Sequence, residues 1–147
     1  MSQLLQGTLI YLDVNVFIYA LEGYPKFEAF LTELFKRIDN GEIQAVTSEL
    51  TLAESLVKPM MDGNSRLEKI YLETIQSSQW LQAVPVSRDI LISAARLRSN
   101  FTHLRLPDAI HLTTAKATQC QTFLTNDKQM KNASDGIQLV LLSEIVL

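Results

Sequence analysis

A chain of 147 residues, 47% of them hydrophobic, is long enough to bury a sizeable core and short enough to form one ordinary domain. We therefore expect a single domain over residues 1–147. The formal net charge of −3 gives no overall attraction for a polyanion, so nucleic acid would have to be bound through cations or a local basic patch. Cys120 is the single cysteine, which excludes an internal disulfide.

The amino-terminal composition bears on where the protein works. The first six residues lack the basic and apolar regions of a signal peptide. Together with the single cysteine, this favours the cytoplasm. No apolar run approaches the ~20 residues that span a bilayer, so we expect no membrane role.

The first predicted element is a strand from Thr8 to Leu12, which is rich in β-branched and aromatic residues and ends at an acid, Asp13. Such an apolar run is typical of a strand buried on both faces. The apolar residues after it recur at spacings that suit a helix packed against a sheet. Asp13 would then lie at the carboxyl end of a strand, the edge where ligands bind in open parallel sheets.

The later elements follow from hydrophobic periodicity and from turn residues. Apolar residues three or four apart predict helices over 27–38, from Ser48 to the region of Pro59, over 67–75, from Ser87 to about 100, and over 105–117. In the helix after Ser48, the predicted buried stripe is Leu50, Ala53, Leu56 and Val57. Short strands are predicted over 43–48, 80–86, 122–125 and 138–142. This alternation predicts a three-layer α/β/α sandwich with a mainly parallel central sheet.

Four acids are the candidate functional residues, because a parallel sheet could bring them to one edge. Asp13 ends the first strand, and Asp127 lies two residues after the strand over 122–125. Asp108 opens a helix, and Glu54 lies beside the apolar stripe of the helix that follows the second strand. We expect all four to point into one cleft.

Each acid also has an ordinary structural explanation. Asp13 could cap the helix that follows it, although Asn15 could take that role instead. Asp108 suits the helix dipole, Asp127 suits an Asn-Asp turn, and Glu54 suits a helix surface. Only their joint placement favours a site.

Converging carboxylates would need a cation. Two of them about 5 Å apart repel by roughly 3 kcal/mol at an effective dielectric constant near 20. Carboxylate oxygens without His or Cys ligands prefer Mg²⁺ or Mn²⁺ to Zn²⁺. A bound cation of this kind can activate a water molecule and stabilise charge on an attacked phosphate, and it could draw RNA to an acidic protein.

The chain resembles the PIN domain family over nearly its whole length. The resemblance is in four short motifs: Leu12-Asp13-Val14-Asn15-Val16, Leu52-Ala53-Glu54, Leu106-Pro107-Asp108-Ala109-Ile110-His111-Leu112 and Thr125-Asn126-Asp127. It implies that Asp13, Glu54, Asp108 and Asp127 form a metal-binding catalytic set. It also implies supporting hydrogen bonds from Asn15 and Thr125, cleavage of RNA by a toxin such as those of the VapC group, an antitoxin partner and a homodimer.

Two other functions are weighed beside the nuclease. The segment from Asp13 to Val16 partly resembles the nucleophile loop of haloacid-dehalogenase-like phosphatases, but Asn15 stands where their second acid acts as proton donor. A catalytically idle PIN-like module that binds RNA or protein is the other alternative. Such a module would be marked by a missing acid, and all four are present.

Basic and imidazole side chains near the acids are further candidates. Arg105 lies just before the helix that bears Asp108 and could bind substrate phosphate, with ordinary solvated surface charge as the alternative. His103 and His111 flank Asp108. We expect packing or capping from both histidines, because hard-metal phosphoryl chemistry does not require imidazole.

Overall fold

The computed structural model describes residues 8–134 and 136–145, and the first six residues considered above lie outside that part of the chain. Strands are numbered along the chain as β1 Leu9–Leu12, β2 Gln44–Ser48, β3 Leu81–Val84, β4 Thr122–Thr125 and β5 Gln138–Leu141. They form one sheet of order β3-β2-β1-β4-β5 in which every neighbouring pair is parallel. The predicted parallel sheet is therefore confirmed.

Helices connect the strands and cover both faces of the sheet. They are α1 Val14–Glu22, α2 Glu28–Asp39, α3 Glu49–Met61, α4 Ser65–Thr74, α5 Arg88–Asn100, α6 Leu106–Ala117 and α7 Leu142–Ile145, with 3-10 turns at Pro25–Phe27 and Lys128–Ala133. The predicted cap Ser87 begins α5, its hydroxyl accepting a hydrogen bond from the backbone N–H of Ile90. None of the helices in the described residues is long and apolar enough to cross a bilayer.

The central strand β1 separates two apolar cores because its side chains alternate between the faces of the sheet. Ile10 and Leu12 belong to one core, with residues of α1, α2 and α4. Tyr11 belongs to the other core, with residues of α5 and α6. The predicted three-layer α/β/α arrangement is confirmed.

Helix α3 turns a different face to the sheet from the one that its apolar residues predicted. Its buried residues are Thr51, Ser55 and Pro59, whereas Val57 is 56% exposed. The Thr51 hydroxyl lies 2.7 Å from the Thr47 hydroxyl, and the Ser55 hydroxyl donates to the carbonyl of Leu52. These small side chains can therefore be buried because local hydrogen bonds satisfy their polar groups.

Candidate active site

Asp13 lies directly after the central strand, and its carboxylate is held by two hydrogen bonds. Oδ1 accepts from the backbone N–H of Val14 at 2.9 Å, which makes Asp13 the cap of α1. Oδ2 accepts from the hydroxyl of Thr125 at 2.7 Å. The residue is only 3% exposed. Capping the helix and facing the site are thus compatible roles for this side chain.

Thr125, at the end of β4, joins three of the predicted residues. Besides donating to Asp13, its hydroxyl accepts from the backbone N–H of Asp127 at 3.0 Å and from the side-chain amide of Asn15 at 3.3 Å. Asn15 also accepts a hydrogen bond from the backbone N–H of Asn126 at 3.1 Å. The ends of β1 and β4 are therefore connected by side chains as well as by the sheet.

Asp127 opens the 3-10 turn that follows β4. Its carboxylate accepts from the backbone N–H of Gln129 at 2.9 Å, and the residue is half-buried. Asp127 therefore has the turn role that was predicted for it. The hydrogen bond from its N–H to the Thr125 hydroxyl holds its backbone beside that residue.

Glu54 meets Asp13 through a histidine. Nε2 of His111, on α6, lies 2.5 Å from Oε1 of Glu54 and 3.8 Å from Oδ1 of Asp13. The other ring nitrogen, Nδ1, lies 2.6 Å from the hydroxyl of Tyr11. Burial lowers the pKa of His111, but the hydrogen bond to Glu54 and the negative charge of Asp13 outweigh it, so that the pKa is raised overall.

Asp108, in the first turn of α6, pairs with Arg105. The guanidinium approaches both carboxylate oxygens, with Nε 3.2 Å from Oδ2 and Nη2 3.4 Å from Oδ1. The side chain of Asp108 is 5% exposed, and that of Arg105 is 68% exposed. The hydrogen bond to Asp108 raises the pKa of Arg105, and the charges of Asp127 and Glu54 raise it further. All four acids therefore surround one region at the carboxyl edge of the sheet.

The four carboxylates are ligands of the type that a hard divalent cation prefers. Burial raises the pKa of Asp13 more than His111 and the hydrogen bonds from Thr125 and Val14 lower it, and a nearby cation would stabilise such a buried carboxylate. Within residues 8–134 and 136–145, however, no three His, Cys, Asp or Glu side chains converge closely enough to hold an ion in this conformation. Arg105 approaches both oxygens of Asp108, so this carboxylate would have to exchange that partner for a cation, whereas Glu54 contacts His111 through Oε1 and could offer Oε2 to a cation.

His111 is the site residue that the sequence analysis underestimated. We expected a packing or capping role, yet its ring contacts two of the four acids and is 1% exposed. His111 lies three residues after Asp108, which places the two side chains on the same side of the helix. This spacing was the signal in the sequence that His111 could belong to the site. The exposed His103 instead packs edge-on against Phe101.

The fold and the site define the class of protein. It is an α/β protein with an all-parallel sheet and with acidic side chains at the carboxyl edge of the central strands. The family model for the PIN domain matches residues 10–136, and the chain belongs to this family. PIN domains are nucleases, and nucleases of this family generally use divalent metal ions. A comparison with curated protein sequences finds no match.

Solved structures share the fold at low sequence identity. A toxin-antitoxin complex from Klebsiella pneumoniae is 22% identical, with a TM-score of 0.65 over 90% of this chain and 97% of that one. The VapBC2 complex of Rickettsia felis, bound to a DNA fragment from its promoter, is 18% identical, with a TM-score of 0.70 over 90% and 98%. VapC20 of Mycobacterium tuberculosis, a toxin that cleaves the sarcin-ricin loop, is 15% identical, with a TM-score of 0.68 over 88% and 98%.

Proposed function

We propose that this protein is an endoribonuclease that uses Mg²⁺ or Mn²⁺ to hydrolyse RNA phosphodiester bonds. Asp13, Glu54, Asp108 and Asp127 are the proposed metal-binding and catalytic residues. The observation that supports this proposal most strongly is the state of Asp13. It is a buried carboxylate at the end of the central strand, burial raises its pKa, and Nε2 of His111 lies close to both Asp13 and Glu54.

A hard divalent cation, when bound, supplies a Lewis acid and a water molecule that is easier to deprotonate. The protein's own part is to fix the ligands before the substrate arrives. Thr125 donates to one oxygen of Asp13, and the N–H of Val14 donates to the other, so this carboxylate has one orientation. Asn15 restrains Thr125 in turn, which is the supporting role proposed for this pair.

Arg105 is the proposed contact for the substrate backbone. Its guanidinium is the exposed partner of a buried acid, and a guanidinium can bind a phosphate through two parallel hydrogen bonds. A cation bound at Asp108 would free Arg105 for this contact. The protein's net charge of −3 makes such local positive groups necessary for RNA binding.

We propose further that the nuclease is the toxin of a toxin-antitoxin pair, acting in the cytoplasm as one nuclease domain and as a homodimer. Support comes from the toxin and the toxin complexes of similar fold described above. The end of α3 also offers an apolar surface for a protein partner, since Val57, Met60 and Met61 are 56%, 53% and 80% exposed.

One observation favours the alternative of a catalytically idle module. Glu54 and Asp108 are already paired with His111 and Arg105, which stabilises the site without a metal. The phosphatase alternative has no such support, because Asn15 is bonded to Thr125 and Asn126 and is not an acid.

The deciding experiment measures cleavage of a mixed RNA by the wild type, by Asp13→Asn and by Asp62→Asn, each with Mg²⁺, with Mn²⁺ and with a chelator. Asp62 is an exposed carboxylate at the end of α3 and serves as the matched control. We expect Asp13→Asn to lower the rate by roughly 100-fold or more, because several kcal/mol of transition-state stabilisation depend on the metal. We expect the chelator to abolish cleavage. Equal rates with chelator and with metal would overturn the mechanism, and no cleavage under any condition would favour the idle module.

A further inference from the structure

A largely buried chain of hydrogen bonds joins strand β1 to helices α6 and α3. It runs from the hydroxyl of Tyr11 on β1 to Nδ1 of His111 on α6, over 2.6 Å, and from Nε2 of His111 to Glu54 on α3, over 2.5 Å. Tyr11 is fully buried, and its ring stacks on Phe123 with ring centroids 4.9 Å apart. This chain of hydrogen bonds therefore begins at the central strand and ends at the carboxylate of Glu54 in the candidate site.

When the imidazole of His111 is neutral, only one assignment of donors and acceptors satisfies both hydrogen bonds of its ring. A carboxylate accepts hydrogen bonds and does not donate them, so Nε2 must bear the proton that faces Glu54. Nδ1 then has only a lone pair and accepts from the phenol of Tyr11. A phenol bears its proton near neutral pH, so the Tyr11 hydroxyl can donate to Nδ1.

Glu54 differs from the other three acids in what holds it. Asp13 and Asp127 each accept a hydrogen bond from a backbone N–H beside them, and Asp108 is paired with Arg105. Glu54 lies within helix α3 with its side chain 28% exposed, and His111 is the hydrogen-bond partner that the described part of the structure gives it. Without this partner a glutamate side chain can adopt several rotamers, and ordering it for a cation costs conformational entropy.

We propose that His111 is a positioning residue, which uses its Nε2–H to hold Glu54 beside Asp13 where the two carboxylates can share one cation. This inference rests on the proposed function and deepens it. His111 acts through Glu54, and its Nε2, 2.5 Å from Oε1 of Glu54 and 3.8 Å from Oδ1 of Asp13, brings the two acids to the same ring nitrogen. Because Tyr11 donates to Nδ1, it favours the tautomer of His111 that bears its proton on Nε2.

The tautomer is measured first, on the metal-free protein, by long-range ¹H–¹⁵N correlation spectra of the histidine rings at a pH where they are neutral. We expect His111 to show a protonated Nε2 and an unprotonated Nδ1. Tyr11→Phe removes the donor and keeps the stacked ring, so we expect it to weaken this preference. A protonated Nδ1 in the neutral ring of the wild type, or an unchanged spectrum in Tyr11→Phe, would overturn the proposed direction of the hydrogen bonds.

Metal affinity is measured second, by the loss of the free Mn²⁺ electron paramagnetic resonance signal in titrations without RNA. His111→Leu removes both hydrogen bonds at similar volume, whereas His111→Gln retains an N–H donor. We expect His111→Leu to weaken Mn²⁺ binding by about 10–100-fold, the usual effect of losing a residue that orients a ligand, and His111→Gln to recover part of it. The exposed His103→Leu is the matched control and should bind like the wild type.

The outcomes separate this inference from the proposed function. Circular dichroism and thermal unfolding establish that each variant is folded, and Tyr11→Phe supplies the test if His111→Leu is not. If Asp13→Asn abolishes Mn²⁺ binding and RNA cleavage while the folded His111→Leu protein binds Mn²⁺ like the wild type, the positioning role is wrong and the nuclease remains. If the wild type neither binds Mn²⁺ nor cleaves RNA, the proposed function itself is wrong.

Discussion

The hydroxyl of Thr125 lies 2.7 Å from Oδ2 of Asp13, although 112 positions separate the two residues in the chain. The contact is possible because β1 and β4 are neighbouring parallel strands, with Leu12 paired to Leu124. The residues that follow this pair therefore emerge side by side. One hydroxyl thus orients the buried acid and, through the N–H of Asp127, the loop that bears another acid.

Thr125→Val should destabilise the protein and lower its activity together. The substitution keeps the shape of the side chain but removes the hydrogen-bond partner of Oδ2 of Asp13 and of the N–H of Asp127, at a cost of about 1–3 kcal/mol. Unfolding in urea measures the change in free energy. Thr125→Ser retains the hydroxyl and is the control. Equal losses in the two variants would mean that the methyl group, and not the hydroxyl, accounts for the effect.

Mg²⁺ should raise the thermal midpoint of the wild type. A ligand that binds only the folded state adds about 2.7 kcal/mol at a concentration 100 times its Kd, which corresponds to several degrees for a domain of this size. Asp13→Asn should remove most of the shift, while Asp62→Asn should retain it. Differential scanning calorimetry in Mg²⁺, and in matched ionic strength without it, makes the measurement. An equal shift in all three proteins would indicate a general salt effect.

Arg105→Gln should change metal binding and RNA binding in opposite directions. Removing the guanidinium frees Asp108, so we expect Mg²⁺ to bind more tightly, by a few-fold for such an exposed partner. The same change removes a phosphate contact, so we expect KM for RNA to rise and its salt dependence to flatten. Arg96→Gln, at an exposed position on α5, is the control. Weakened binding of both metal and RNA would show that Arg105 supports the site and does not compete with a cation.

Tyr71→Phe should lower stability near neutral pH and have less effect in alkali. The Tyr71 hydroxyl donates to Glu22 at 2.5 Å and thereby joins α4 to α1, so we expect a loss of roughly 1–2 kcal/mol. Burial raises the pKa of Tyr71, as does its bond to Glu22. Above about pH 10 the unfolded chain loses this proton while the folded protein keeps it, so the wild type loses stability as pH rises.

The advantage of the wild type over Tyr71→Phe should therefore shrink above that pH. Urea unfolding at a series of pH values measures it, and Tyr24→Phe, at a residue 45% exposed, is the control. A difference that stays constant through pH 11 would contradict the role assigned to the Tyr71 proton.

The order of the elements could be predicted because each has its own local pattern. The apolar run of β1, the cap Ser87 and the strand over 122–125 are visible in short windows of sequence, and all three lie where they were predicted. The three-layer arrangement then follows from the alternation of strands and helices. The acids at the ends of β1 and β4 could be brought to one edge by this reasoning alone.

The sequence does not indicate which side chains of different helices and strands form hydrogen bonds with one another. Helix α3 buries Thr51 and Ser55 because Thr47 and the carbonyl of Leu52 satisfy their hydroxyls, and an apolar stripe does not predict such partners. The contact of His111 with Glu54 depends on how α6 and α3 approach each other across the end of the sheet. His111 was assigned to packing or capping because hard-metal phosphoryl chemistry does not require imidazole, and that reasoning does not predict a hydrogen bond from the ring to an acid.

The sheet order has a consequence for protein synthesis. Because β4 pairs with β1 but follows β1, β2 and β3 in the chain, the strand that places Thr125 beside Asp13 leaves the ribosome after those three strands. A nascent or prematurely terminated chain ending before residue 122 contains Asp13, Glu54 and Asp108 but neither Thr125 nor Asp127. Such a fragment lacks the hydroxyl that orients Asp13, so the proposed nuclease cannot act until β4 and the turn after it have been synthesised.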